Sequence, residues 1–530
     1  QLDKTHLLSY LYVLRTYFFL SGPRPPVQRP YARRESSEAS FALSCAMDLR
    51  VDIVIAVLEI PWHALHRISL VCRGWHATVQ AEHARTTVLT AEDLFGPVLA
   101  HQPCEGSPQC EGCQRLSFDA QCRAVARGCP RLRRLDLREA QWYRFADHQA
   151  SLAALFSACR ELREVWVCPL AEVSLAAFES LCLCEKLTEL HIEAGTRMST
   201  IDETGKDLRS QHSGLYYCPT PISAAGMLLL ARRCSSLVVL QLDSCDPTDD
   251  FARTISENLC RLRHLGLGEG PSDLTDAGAL HLRACTNLTG LDLGGHYQLS
   301  DGTITTLVSQ LTALEFLDVT DLDGLRDSAL IAIGQLRRLH TLRIGDERGY
   351  GGDQWGFTDV GLTAVAVGCP ALRILTFKGF DAASTTQTAR HAVTAAPLFA
   401  LAAHNSGVLE QLAWECEGPL AEALGALLQR CQRLMHLKVS SCDDCDDSAL
   451  RVVGAHGKSL ITLDASFTAV TGDGVISLVQ GLPGLRGLNA SYCDEVDEDD
   501  AQACEAVLVA RGGSFGTIGR EFGHPHWKGR

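Results

Sequence analysis

Five times between Leu237 and Ile344 the chain repeats Leu-x-x-Leu-x-(Leu/Val/Ile). The pattern starts at Leu237, Leu262, Leu288, Leu314 and Leu339, in steps of 25, 26, 26 and 25 residues. One unit contains the physics of all. Leu288, Leu291 and Leu293 make a short apolar strand, Gly294-Gly295 turns the chain, and Ser300 or Asp301 offers an oxygen to cap a helix. Ile304, Leu307, Val308 and Leu311 follow at the spacing of one helical face. A strand and a helix this short cannot bury their apolar faces alone. Stacked on copies of themselves they can, so the expected fold is a solenoid of strand–helix coils.

The same phase extends in both directions. First leucines fall at Leu132, Leu162, Leu187, Leu237, Leu262, Leu288, Leu314, Leu339, Leu372, Leu409, Leu434, Leu460 and Leu485, which predicts thirteen strands. The fold class is therefore α/β, a leucine-rich-repeat solenoid bent into a horseshoe. Thr86–Thr90 reads as an opening strand, and Asp494–Asp500 leads into a capping helix through Arg511. Three stretches exceed the repeat length, 194–220, 345–357 and 378–397, and all follow strands. Insertions in a solenoid map to loops on one rim. Tyr216 and Tyr217 in the first, with Tyr350 and Trp355 in the second, are candidate target contacts, since exposed aromatics anchor many interfaces.

Side chains alternate along a strand, so the residue between the second and third anchors faces out of the sheet. That column runs Asp136, Trp166, His191, Gln241, Gly266, Asp292, Asp318, Arg343, Thr376, Ala413, Lys438, Asp464 and Asn489. Trp166, His191, Asp292, Asp318 and Arg343 are candidate target-binding residues within it. Four acids against two bases predict a target segment of basic character.

The net charge of −15 points the same way. Residues 1–46 carry six Lys/Arg against three Asp/Glu, so the remainder stands near −18 (−15 minus +3). An acidic body argues against nucleic acid or an anionic membrane as main partner. Twenty-three cysteines suggest oxidation at first sight, but their placement argues otherwise. Cys129, Cys159, Cys184, Cys234, Cys285, Cys369 and Cys431 each begin Cys-x-x-Leu ahead of a strand, and Cys245, Cys442 and Cys493 sit just past strands. At repeat-equivalent positions a thiol serves as a small buried group. A reducing compartment, cytoplasmic or nuclear, is expected. Cys110-x-x-Cys113, near Cys104 and Cys122, has metal-like spacing but lacks a second close pair, so no metal site is predicted.

Residues 49–79 contain a second signal. Ile53, Val57, Leu58 and Ile60 form one apolar helical face, Pro61 stops that helix, and Leu65, Ile68, Leu70, Val71 and Trp75 form another apolar set. About thirty residues cannot bury both faces internally, so some of this surface awaits a partner or caps the solenoid. The run Ile68-Ser69-Leu70-Val71-Cys72-Arg73-x-Trp75, preceded by Pro61 and Leu65, resembles an F-box. The repeats with their Cys-x-x-Leu starts resemble the cysteine-containing leucine-rich repeats of F-box proteins. That resemblance implies a substrate receptor of SKP–cullin–F-box ubiquitin ligases, in which the F-box grips the SKP adaptor and the repeats hold the protein to be ubiquitinated. The positions it assigns to adaptor binding are Leu49, Ile53, Leu58, Pro61, Leu65, Ile68, Leu70, Val71, Cys72 and Trp75. In outline the chain is also similar to plant hormone receptors, whose long rim loops shape a ligand and target pocket.

The domain expectation follows: 1–46 an extension outside the folded body, 47–80 the F-box, 81–128 a linker and cap, 129–493 the repeats, and 494–530 an acidic cap with a flexible tail. Leu7–Leu20 is too short and too interrupted to span a membrane. No phosphate loop, nucleophile elbow or His-Glu-x-x-His motif occurs. Neither catalysis nor a cofactor is therefore expected in this chain. A repeat scaffold with no ligase role, or a repeat protein that regulates an enzyme, are the competing readings.

Overall fold

The computed structural model describes residues 87–90, 118–137, 149–167, 174–192, 224–242, 245, 247–268, 273–345, 356–378, 393–416, 418–442 and 444–516. The chain divides into two units, Gln1–Ala81 and Glu82–Arg530, and every described residue lies in the second. The expected F-box, and Cys104, Cys110 and Cys113, lie outside the described residues.

A single parallel sheet of fifteen strands runs through the described residues in strict sequence order. Parallel neighbours need a crossover, and here a helix supplies it in coil after coil, as Asp301–Gln310 does between β7 (Gly290–Asp292) and β8 (Phe316–Thr320). The thirteen leucine patterns become thirteen consecutive strands, from β2 (Arg134–Asp136) to β14 (Gly487–Asn489), and the opening strand is β1 (Val88–Thr90). Leu288, Leu291 and Leu293 are fully buried, as are their equivalents in the neighbouring coils. The capping helix spans Glu498–Ala510 and opens with a reciprocal pair, Asp497 and Asp500, each accepting from the other's backbone N–H. Past that helix, within the segment expected as cap and tail, Ser514–Phe515 forms β15. Its Ser514 N–H donates to the Arg486 carbonyl at 2.8 Å, which covers the otherwise open edge of β14.

The spacing Cys-x-x-Leu has a backbone cause. The Cys carbonyl accepts from the N–H of the leucine three residues on, at 3.2 Å for Cys159–Leu162 and 2.9 Å for Cys285–Leu288, and this turns the helix end into the strand. The thiol points inward and donates to the preceding coil. Cys159 reaches the Cys129 carbonyl at 3.5 Å, and Cys369 reaches that of Ile333 at 3.4 Å. Asn405 takes the same place and donates to the Cys369 carbonyl at 2.7 Å. Past the strands, Cys245, Cys442 and Cys493 likewise donate to the carbonyls of Leu267, Trp414 and Ala465. Burial pushes the thiols of Cys159, Cys184 and Cys369 up to about 12, so they stay protonated and inert.

A second contact between coils lies at the helix starts. Ser300 caps its own helix through the Thr303 N–H. Asp301 instead reaches forward, accepting from the backbone of Arg326 and Ala329 at 2.9 and 3.0 Å. The arrangement recurs. Asp249 holds Thr275, Asp276 holds Ser300, Asp327 holds Thr358, Asp359 holds Thr394 and Asp447 holds Thr471, with N–H to carboxylate distances of 2.8 to 2.9 Å. These amides are the orphan donors of a helix N-terminus, and the carboxylate also meets the positive end of the helix dipole. Space is left for it: a Cβ on Gly361 would stand 2.5 Å from Asp327 Oδ1, and one on Gly278 would stand 1.9 Å from Asp249 Oδ1.

Removing one such carboxylate opens a joint between coils. Asp327→Ala strips the acceptor from the Thr358 N–H, the Thr358 hydroxyl and the Gly361 N–H. The expected cost is about 2 kcal/mol, read by urea unfolding, with faster amide exchange at Thr358 and Gly361. The exposed Asp473, which makes no such bond, costs under about 1 kcal/mol when changed to Ala. Equal costs for the two variants would remove this role from Asp327.

Candidate functional site

Strand pairing fixes the outward column residue by residue. Asp136 lies beside Trp166, Trp166 beside His191, His191 beside Gln241, and so on through Gly266, Asp292, Asp318 and Arg343. Thr376, Ala413, Lys438, Asp464 and Asn489 complete it in register. The predicted candidates Trp166, His191, Asp292, Asp318 and Arg343 therefore share one face of one sheet. Tyr216, Tyr217, Tyr350 and Trp355 lie outside the described residues, as do the ten adaptor-binding candidates from Leu49 to Trp75.

The face divides into three clusters. At the first repeats the Arg134 guanidinium sits 4.3 Å over the Trp166 ring, and Trp166 stacks on His191 at 4.9 Å with 16° between the planes. Glu164 lies 3.7 Å from Arg134. The neighbouring Glu189 carboxyl is raised by burial and by Glu164, against the pull of Arg134.

In the middle repeats the acids do something the column alone does not reveal. Asp292 accepts from the Gly294 N–H at 3.0 Å and from the Gln241 amide at 3.4 Å. Asp318 accepts from the Thr320 N–H at 3.0 Å and its hydroxyl at 2.7 Å, and pairs with Arg343 Nε at 3.3 Å. Asp464 and Asn489 hold Ser466 and Ser491 in the same way. These are Asx turns that end the strands. Asp318 and Arg343 are almost wholly buried, so their charges are spent on each other and on the backbone.

At the later repeats Glu415 is 6% exposed and accepts from the Ser440 hydroxyl at 3.2 Å. Burial pushes its carboxyl up to about 7, opposed by Lys438, Lys378 and Ser440 and aided by Asp464.

The exposed chemistry lies at the rim where the strands leave the sheet. Phe467 and Tyr492 are 53% and 57% exposed and stack on one another at 4.4 Å with 9° between the planes. Both sit at left-handed φ, 57° and 61°, one residue past the Asx turn. The equivalent residues of other coils are Gly295, Asp321 and Ser441. Sequence reasoning passed over this pair, although Leu463-Asp-Ala-Ser-Phe467 and Leu488-Asn-Ala-Ser-Tyr492 are visibly one motif. Exposed Asp494 and Glu495 follow at once. All three insertions leave this same end: Ile192 ahead of the first, and Gly345 and Lys378 at the starts of the other two, each end strands of the one parallel sheet. Among the described residues no group of three or more metal-ligating side chains occurs, and no helix is long and apolar enough to cross a membrane.

No protein-family profile matches the chain. Over 482 residues it is 25% identical to the Coronatine-insensitive protein homolog 1b of Oryza sativa subsp. japonica, covering 85% of this chain and 69% of that protein. Among solved structures it is similar to the yeast Rad7 and Elc1 complex, with TM-score 0.42, 15% identity, and coverage of 72% and 75% of the two chains. It is also similar to an internalin (InlF) of Listeria monocytogenes, with TM-score 0.36, 14% identity, and coverage of 66% and 84%. The leucine-rich-repeat solenoid stands on its own sheet and helices.

Glu415 gives this face a pH dependence whose sign is fixed. Between the ordinary value of 4.5 and the folded value of about 7 the native state binds the proton more tightly than the unfolded chain. Stability therefore falls as pH rises through that window. Glu415→Gln removes the loss, so its stability relative to wild type rises between pH 5 and pH 8 by up to about 3 kcal/mol, measured by urea unfolding at each pH. A parallel pH response in the two proteins would contradict the assignment.

Proposed function

We propose that the chain is the substrate-recognition subunit of an SKP–cullin–F-box ubiquitin ligase, non-catalytic, with residues 47–80 binding the adaptor and the repeats holding the target. It works in the cytoplasm, the nucleus or both. The observation that carries the reading is the string Ile68-Ser69-Leu70-Val71-Cys72-Arg73-x-Trp75 ahead of a leucine-rich-repeat body with Cys-x-x-Leu joints. The distant similarity to the rice protein supports it, because it extends over 85% of this chain. The form of the body supports it too. A rigid parallel sheet presents fixed columns of side chains, while exposed aromatics and carboxylates gather at one rim.

Target contact is assigned to that rim rather than to the outward column, where Trp166 and His191 are buried and Asp292 and Asp318 hold strand-end turns. Reversing the charge of those two acids would break strand-end turns before it tested binding. The target surface carries basic side chains, whose charge the rim acids Asp494 and Glu495 would complement, and an arginine guanidinium has a flat ring pair to stack on.

Adaptor binding is tested by co-expression with an SKP adaptor. Pro61→Ala with Trp75→Ala is expected to abolish co-purification while the repeats melt as in wild type. Normal adaptor capture by a chain lacking residues 1–81 would end the ligase reading and leave an interaction scaffold.

Target binding has its own measurement. Phe467→Ser with Tyr492→Ser should leave adaptor capture intact and lower recovery of proteins that accumulate on the wild-type chain under proteasome inhibition, by about tenfold if the pair supplies 1.4 kcal/mol. Unchanged recovery would move the contact elsewhere on the repeats.

A further inference from the structure

Sixteen cysteines lie among the described residues, all with free thiols. Fourteen are buried, Cys260 is exposed, and Cys182 is half-buried. At Cys159, Cys184 and Cys369 the pattern is donation of the inward thiol to a carbonyl of the adjacent coil. Cys234 departs from it. It occupies the Cys-x-x-Leu position of its coil, where Cys159 and Cys184 point to backbone oxygens. Its Sγ instead stands 3.7 Å from Sγ of Cys182. Cys182 caps the end of the helix Leu175–Leu181, and Cys234 directly follows the helix Ala224–Arg233. Two sulfurs 52 residues apart in sequence thus meet where adjacent coils stack.

We propose that Cys182 and Cys234 are a peroxide-responsive dithiol, Cys182 the thiol that is oxidised and Cys234 the one that resolves it into a disulfide. Access sets the order. Cys234 is buried, so an oxidant in water meets Cys182 first. The local charges agree: the hydrogen bond from Cys234 and the nearby Arg233 hold the Cys182 thiol below its ordinary range, against burial and Glu179. The same hydrogen bond, with burial and the neighbouring thiols, pushes Cys234 upward. A low, accessible thiol beside a resolving partner is what a redox-sensing pair requires. The inert thiols at the other joints, held up by burial, provide the contrast.

The chemistry balances with hydrogen peroxide as oxidant. The Cys182 thiol first releases its proton to solvent. The thiolate attacks one peroxide oxygen, an S–O bond forms, the O–O bond breaks, and the departing hydroxide takes up a proton equivalent to the one released, giving water. Cys234 then attacks the Cys182 sulfenic sulfur. The S–S bond forms as the S–O bond breaks, and the second hydroxide leaves as water with the Cys234 proton. Two thiols are oxidised by two electrons in total, and one peroxide becomes two waters. The sulfurs must close from 3.7 Å to about 2.05 Å. The product locks two coils together at their helix ends, and a thiol reductant reverses it.

The test uses the full chain with all its thiols reduced. It is exposed to hydrogen peroxide, alkylated, digested and mapped by mass spectrometry. The expected result is a Cys182–Cys234 crosslinked peptide, both thiols lost to alkylation, and a mass lower by two hydrogens that dithiothreitol restores. Cys234→Ser should stop at a sulfenic acid on Cys182, captured by dimedone, ahead of any reaction at Cys260. Because the wild-type map needs no substitution, misfolding of a variant does not blur the outcome. Oxidation of Cys260 before Cys182, or loss of the Cys182 thiol without its appearance in a crosslink to Cys234, would overturn the proposal.

Discussion

A coil of this solenoid has no interior of its own. Its strand is three to five residues and its helix seldom more than ten, so its inward apolar side chains, such as Leu288, Leu291 and Leu293, can be buried only against the coils before and after. The polar groups obey the same constraint. One carbonyl per joint, such as that of Thr289, accepts from two successive N–H groups of the next strand, at 2.7 and 3.0 Å. The Asp clasp does the corresponding work at the helix starts, satisfying donors that the next helix cannot satisfy for itself. Stability is thus a nearest-neighbour quantity, and a damaged joint loosens locally before the whole array unfolds.

That constraint decides where function can reside. Registered pairing lines up the outward column, and the same closeness makes its acids useful as strand-end turns. A carboxylate that already holds a backbone N–H, a hydroxyl and a guanidinium has little left for a partner. The rim is different. There the residue past the turn joins the next coil through its backbone, as the Phe467 N–H does by donating to the Ser491 carbonyl at 3.0 Å, and its side chain varies between small, polar and aromatic groups.

The leucine phase made the fold legible because burial of Leu288, Leu291 and Leu293 is periodic, and periodicity survives without coordinates. Cys159 and Cys369 were readable as repeat positions for the same reason. Asp301 was not fully readable. Its position offered a local cap, and only the next coil, 25 residues on, reveals that it serves Arg326 and Ala329 instead. For Asp292 and Asp318 the alternation gives the face from which the side chain points, while its hydrogen-bond partners depend on the turn that follows. Ser514–Phe515 was missed because a two-residue strand has no pattern. Its cause is the unpaired edge of Gly487–Asn489, a feature of the stack rather than of its own sequence. The resemblance carried by Leu49 to Trp75 falls outside the described residues, and there the sequence alone speaks.

Energetics give the rim pair its weight. A bulky side chain in the left-handed region costs roughly 1–2 kcal/mol, and the fold tolerates that position most easily with Gly295. Phe467 and Tyr492 both accept the cost, so together they forgo about 2–4 kcal/mol. Their mutual stacking returns only about 0.5–1.5 kcal/mol, and over half of each side chain remains in water, so burial adds little more. Folding alone does not select this arrangement over Gly or Ser. A pair of parallel rings held against strain, exposed, and followed by Asp494 and Glu495 is better accounted for by what it meets than by what it supports.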